Sequence, residues 1–570
     1  MTLKRVLALV PGLGALALAA CSTVNAINPI ATKDDEPQPT LAGTYLAANF
    51  AAAEGDVKAA SSYYATTLKD DPDNQDLLAR TFLYAAESGD IEGAATLADR
   101  VIMQEAQNRP AHLVRQMSAM QAKDYAAVLK DIETPNSIAF AALTNDVVEA
   151  WAHAGLHDVD GALHALDALS QQRGVDGLRL FHKALVLEYS GRDKEAETAY
   201  RDALALTGMG PRAADAFGRF LRRHGRSEDA KAVYTKSLSE SPGNPVAAAA
   251  LKEIAANKST APLVSTPAEG VGEALFGIAA SLNDQRSADV AILYLNLTLY
   301  LHPDFDLARV LLANHYETLR KFDLANVQYA AIAPASPYYV MTQVQGALNE
   351  GRMDKPEVGA AKLKVLSVQQ PKDLDVWTAL GDLLRSSDRY ADAAAAYDKA
   401  IATLPAGDRR LVGLYYARGV SRGNSNRWDD AEKDFQSALK INPDRADVLN
   451  YLGYSWIERG QHQDEAVAML EKAHALRPLD GFIADSVGWA YYRTGRYQDA
   501  ARTLEEAVML SPGAPDINDH LGDAYWRIGR KIDARFQWQH ALALKPDAKQ
   551  KPIIERKLQF GLDEVSASGQ

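Results

Sequence analysis

The chain has 570 residues, 47% apolar and 24% charged, with a formal net charge of −13. That acidic balance lacks the basic footprint of a nucleic-acid binder, and near-average glycine (37) and proline (24) argue against collagen-like or long low-complexity character. One cysteine leaves no intrachain disulfide and no thiolate metal cluster. The length suits several average domains or one long repeat array.

Met1 to Arg5 is a short basic segment, and Val6 to Ala20 is apolar but broken by Pro11, Gly12 and Gly14. A membrane-spanning helix needs roughly 20 apolar residues, so residues 1–20 read as a cleaved signal peptide. The segment ends Leu18-Ala19-Ala20-Cys21, which resembles the bacterial lipobox. That resemblance implies cleavage after Ala20 and lipid on Cys21, with the several acyl chains of a bacterial lipoprotein holding the membrane firmly. Ser22, rather than aspartate, after the cysteine implies the outer membrane by the lipoprotein sorting rule. Residues 21–40 are polar and proline-containing, a flexible lipid tether that could extend about 65 Å.

The rest of the chain keeps time. Gly55-Asp56 recurs as Gly89-Asp90 and as Lys123-Asp124. On the same 34-residue spacing a small residue falls at Ala60, Ala94, Ala162, Ala196 and Ala230, with Val128 the exception. The spacing resumes at Ala291, Ala325, Gly359 and Ala393, then continues at Ala431, Ala466, Ala500 and Ala534. From Leu374 onward further positions join in. Leu380-Gly381, Ala393, Tyr397, Ala400 and Pro405 are echoed by Leu521-Gly522, Tyr525, Ala534, Trp538, Ala541 and Pro546. This resembles the tetratricopeptide (TPR) repeat. Small residues let two helices cross closely, aromatics fill the space around the crossing, and proline ends the second helix.

The resemblance implies an all-α TPR solenoid or superhelix of about fourteen helix pairs. An N-terminal array at 41–243 and a C-terminal array at 271–547 are separated by a short helix and a Ser/Thr/Pro linker at 244–270. Residues 548–570 read as a capping helix and tail.

Chemistry is hard to find along this chain. His153 and His157 are four apart, but His157 falls in a turn and no His-Glu-x-x-His occurs. There is no phosphate loop and no Gly-x-Ser-x-Gly elbow. Asp519-His520 makes no triad without a fold that aligns a nucleophile. The expectation is therefore no enzyme, no catalytic residue, no cofactor and no metal.

What remains is the inward face of the first helix in each repeat, where positions 5, 9, 12 and 13 share one side. In the last three repeats these include Asn450, Tyr454, Asp485, Trp489, Tyr492, Arg493, Asp519, Asp523, Trp526 and Arg527. Large aromatics beside short polar groups suit a peptide-binding groove. They suit packing between neighbouring helices equally well. The lysine or arginine at position 5 and the asparagine after the glycine that mark chaperone-tail clamps are absent.

Together with the lipobox, the segments Leu449 to Trp456 and Asp485 to Gly495 resemble long adaptor lipoproteins of periplasmic carboxyl-terminal processing proteases. That family implies a non-enzymatic, outer-membrane, periplasm-facing scaffold that binds the protease and its cell-wall hydrolase substrates, without nucleic acid. The rival is a TPR scaffold of a polysaccharide or protein export or assembly machine. If Cys21 carries the lipid, Cys21→Ala should abolish incorporation of labelled fatty acid. Mass spectrometry finding wild-type Cys21 unmodified in a membrane-bound protein would contradict it.

Overall fold

The computed structural model describes residues 40–132, 139–171, 174–206, 210–282 and 287–562. The signal peptide, Cys21 and nearly all of the tether lie outside these residues, as does the tail after Leu562. Among the described residues there are thirty α-helices, one short 3-10 turn and no strand. No described helix is long and apolar enough to cross a membrane.

The fourteen registers explain the order of the helices. Every one of those small residues lies in the second helix of a first-then-second alternation, and every one is buried. The two helices outside the alternation are Pro245–Ala255 and Gln550–Phe560, the segments read as a short helix and a cap.

The Gly-Asp spacing has a local cause. Gly55 and Gly89 take φ of 73° and 87°, the left-handed turn that ends a first helix. The aspartate that follows caps the next helix. Asp56 accepts from the Ala59 amide at 2.9 Å, and Asp90 from the Gly93 amide at 2.9 Å. Lys123 and His157 hold the same left-handed conformation at φ 63° and 61°, with Asp124 and Asp158 capping behind them. Later repeats replace the cap with an arginine that pairs with an acid three residues on, as in Arg389–Asp392 and Arg530–Asp533.

The described residues fall into two compact units that divide after Ser88. In the first, Thr40 caps helix Leu41–Ala53, accepting from the Gly43 amide at 3.1 Å. Tyr64 is fully buried there, stacks on Tyr84 at 5.2 Å and donates to Asn49 Oδ1 at 3.0 Å.

At six helix-pair crossings in the second unit the first helix offers a notch. A Cβ added at Gly218 would stand 2.4 Å from the Tyr234 ring. At Gly381 the ring is Tyr397 at 2.6 Å, at Gly419 Phe435 at 2.7 Å, and at Gly522 the Trp538 indole at 2.4 Å. Leu470 and Leu504 fill the same space at Gly453 and Gly488. Trp538 is fully buried, as its signature position implies, whereas Trp377 is half-buried and donates to the Pro371 carbonyl at 3.0 Å.

The region read as a linker is anchored. Leu263 and Val264 are buried, and helix Pro267–Ser281 packs on helices Ala139–Gly155 and Asp176–Tyr189. Helix Ala288–Leu301 continues this contact against helices Ile91–Gln104 and Arg109–Gln121. The docking has its own notch, since a Cβ at Gly270 would lie 2.2 Å from the buried Trp151 indole. Trp151 in turn donates to His182 Nδ1 at 3.1 Å. Beside it, Glu273 is 2% exposed and takes a bidentate pair of hydrogen bonds from Arg212, whose guanidinium lies 4.5 Å from the Phe305 ring centre. The helices on either side of 244–270 thus share one core.

Overpacking a core costs roughly 1–3 kcal/mol, more than the ~1 kcal/mol that alanine gains over glycine in a helix. Gly270→Ala and Gly522→Ala should therefore each lower the thermal midpoint. Gly413→Ala, where a Cβ meets nothing within 4 Å, should not. Equal midpoints for all three would contradict the notch.

Candidate protein-binding face

Helices Ala446–Arg459, Gly481–Arg493 and Pro515–Arg527 are the first helices of three successive repeats, and each touches the next. Their small inward residues bring the side chains of adjacent repeats within hydrogen-bond reach. Glu458 is the hub at one end, accepting from Trp489 Nε1 at 2.7 Å and from Arg493 at 2.8 Å. Trp489 is half-buried and held between two rings. Tyr492 stacks on it at 4.9 Å, and His520 at 4.1 Å with an interplanar angle of 18°. Arg493 lies 5.9 Å from the Trp489 ring centre, and Arg527 donates weakly to the Tyr492 hydroxyl at 3.4 Å.

His520 is held from behind by Asp485, whose Oδ1 lies 2.9 Å from its Nδ1 and whose side chain is buried. Burial works to lower the imidazole pKa, but the charge and hydrogen bond of Asp485, with Asp519 and Asp523 nearby, raise it to about 9. The ring against Trp489 is therefore a cation at neutral pH. Tyr454 is half-buried, and burial, then the carboxylates of Glu458, Asp485 and Asp516, push its hydroxyl pKa upward. Asn450 is half-buried too, with its Oδ1 shielded and without a hydrogen-bond partner.

The last repeat departs from the expectation of an open groove. Helix Gln550–Phe560 lies over it, and its Lys557 donates to Asp519 at 2.8 Å and to Asp523 at 2.8 Å. Asp523 also accepts from Trp538 Nε1 at 3.0 Å, and burial raises its pKa to about 6 against the opposing pull of Lys557. Trp526 is 9% exposed, packs against Trp538 with ring centres 5.4 Å apart, and leaves no room for a Cβ at Gly561. Asp519, Asp523 and Trp526 are thus corrected from groove lining to the seat of the chain's own C-terminal helix. The physical reason is that a terminal repeat has no neighbour to cover its inward face.

Trp489, Tyr492 and Arg493 meet one another around Glu458 and His520, with Arg527 exposed at their edge, Tyr454 and Asn450 half-buried, and Asp485 buried behind His520. His520 was missed as a member of this cluster, and Lys557 as the anchor of the cap helix on Asp519 and Asp523. Lys557 carried a signal, one charge in step with Ile554 and Leu558 on the apolar stripe of the cap. His520 carried none, because its role depends on the adjacent repeat.

Among the described residues no three His, Cys, Asp or Glu side chains gather as a cation site. His153 bonds Asp158 at 2.9 Å, while His157 forms the turn.

The tetratricopeptide repeat family model matches residues 345–408, 416–480 and 488–549, so the chain carries TPR repeats there. A curated relative, the TPR repeat-containing protein PA4667 of Pseudomonas aeruginosa, is 29% identical over 201 residues. The match covers 35% of this chain and 32% of the relative, so the chain spans about a third of the length of the curated protein it matches. Among solved structures, a TPR protein from Parabacteroides merdae aligns with TM-score 0.37 and 15% identity, over 45% of this chain and 97% of its own. The Cut9–Hcn1 hetero-tetramer of the APC/C gives TM-score 0.37 at 14% identity, over 91% and 96%. YrrB, described as a TPR protein with an unusual peptide-binding site, gives 0.28 at 20%, over 34% and 97%.

Raising the His520 pKa has a sign for stability. A histidine whose folded pKa exceeds its unfolded value of about 6.5 contributes fully below that value and loses its contribution as pH rises through about 9. The thermal midpoint should therefore fall between pH 6.5 and 9, with a stability change on the order of 2 kcal/mol. Asp485→Asn should flatten that slope. An unchanged slope in the variant would contradict the Asp485–His520 assignment.

Proposed function

We propose that the chain is a non-catalytic adaptor, tethered to the outer membrane through lipid on Cys21, whose TPR face captures periplasmic proteins. TPR repeats serve as protein-binding scaffolds, and the coarser part of this reading rests on the repeats themselves. The observation that carries it to a particular surface is the clamped Trp489. Its indole is held on two sides by Tyr492 and His520 and at its nitrogen by Glu458, yet it stays half-exposed. An aromatic fixed before binding loses little rotamer freedom when a partner arrives. Rigid tryptophan, tyrosine and arginine side chains dominate interface energetics.

The finer identity comes from the lipobox and from the resemblance of segments 449–456 and 485–495 to adaptor lipoproteins of carboxyl-terminal processing proteases. On that reading the captured proteins are such a protease and the cell-wall hydrolases it degrades. The tether would hold them near the membrane while the array brings enzyme and substrate together.

Capture from envelope extracts tests both levels. Trp489→Ala should weaken capture by about 2 kcal/mol or more, roughly thirtyfold, and lower the thermal midpoint less than Trp538→Ala does. Trp538→Ala should cost about 3–5 kcal/mol of stability as a buried truncation. Undiminished capture by Trp489→Ala would move the binding surface elsewhere. Recovery of export-machine components in place of a protease would replace the adaptor reading with the scaffold of an export machine.

A further inference from the structure

Where helix Ala288–Leu301 docks on the N-terminal repeats, a cavity of about 250 Å³ opens between it and helices Arg109–Gln121 and Ala139–Gly155. It does not belong to the concave face of the last repeats. It exists only because helices far apart in the chain close on one another, so no repeat signature announces it. Leu113, Val290 and Leu293 form apolar walls, and Val290 is 42% exposed.

Two polar features break that wall. Gln116 lines the cavity at 3% exposure, and its Oε1 is buried without a hydrogen-bond partner. A buried acceptor left unsatisfied is costly, so it marks a place where a donor is wanted. Arg109 lines the same cavity, and its positive charge acts on the Tyr294 hydroxyl, which is hydrogen-bonded to Thr144 at 3.0 Å. The neighbouring His112 is already committed to Asp131 at 2.9 Å and to the Ala106 carbonyl at 3.1 Å. Gln116 thus offers a buried acceptor that no protein donor takes.

The cavity lies below the roughly 300–1,000 Å³ of sites for drug-sized ligands. It suits a single large apolar side chain. We propose that it takes one apolar side chain of a peptide segment, whose N–H donates to Gln116 Oε1 and whose adjacent carboxylate faces Arg109. A free acyl chain would fill the walls but brings no donor for Gln116. A peptide supplies apolar group, donor and acid together. The site rests on the protein-capture reading for the source of its peptide and adds a second contact point, in the N-terminal repeats.

The test is a ligand-observed NMR titration of the full chain with N-acetyl-leucine, which carries all three groups. N-acetyl-leucinamide, N-acetyl-alanine and octanoate each lack or alter one. N-acetyl-leucine should saturate and bind about tenfold tighter than the alanine and octanoate probes, and several-fold tighter than the amide. Gln116→Leu should weaken N-acetyl-leucine about fivefold while holding or raising the thermal midpoint, because it removes an orphaned acceptor. Leu113→Trp, which fills the space, should abolish binding, and Trp489→Ala should leave it unchanged. Absence of saturation, octanoate binding as tightly as N-acetyl-leucine, or full binding by Gln116→Leu would each overturn the site. None of these results bears on capture at the Trp489 face, so the two readings fail separately.

Discussion

The structure depends on one repeated contact, a ring or leucine of one helix sunk against a glycine of its partner. Where a Cβ would stand 2.4–2.9 Å from the opposing side chain, only glycine lets the two backbones come close enough. The buried alanine of twelve registers, with Val128 and Gly359 in the other two, supports the same approach from the other helix. Each crossing is modest alone, because a helix pair leaves its outer face uncovered until the next pair arrives. The core is therefore a series of linked clusters, from Val344–Leu414 through Val412–Ala490 to Ala500–Leu562. The ends need special treatment, and Gln550–Phe560 provides it at the C-terminus.

Local and periodic features were legible in the sequence. The register alanines are buried, the Gly-Asp steps are turn and cap, and the short helix at Pro245 and the cap near residue 550 form within a few residues of expectation. Contacts between distant repeats were not legible. Nothing in the 34-residue spacing says that Gly270 receives Trp151, or that Arg212 pairs with Glu273 sixty-one residues away. A Ser/Thr/Pro stretch reads as exposed by composition, yet Leu263 and Val264 anchor it because the helix that follows docks on the N-terminal repeats.

The same division runs through the candidate face. Positions 9, 12 and 13 picked out Trp489, Tyr492 and Arg493, which touch one another, and position 5 picked out Asp485, which lies buried behind His520. Spacing could not tell an open aromatic from a covered one. Trp489 and Trp526 differ chiefly in what lies above them, another pair of rings in one case and the chain's own C-terminal helix in the other. His520 owes its charge to Asp485 in the preceding repeat, an interaction of 35 residues' separation that no motif encodes.

On the proposed function the partner meets the first helices around Trp489, and not the second helices of the same repeats. Hydrogen–deuterium exchange of the full chain, alone and with its captured partner, distinguishes the two surfaces. Binding is expected to slow exchange in Ala446–Arg459 and Gly481–Arg493, while Gln550–Phe560 is slow in both states. Slowing confined to the second helices Gln463–Leu476 and Tyr497–Leu510, with the first helices unchanged, would contradict it.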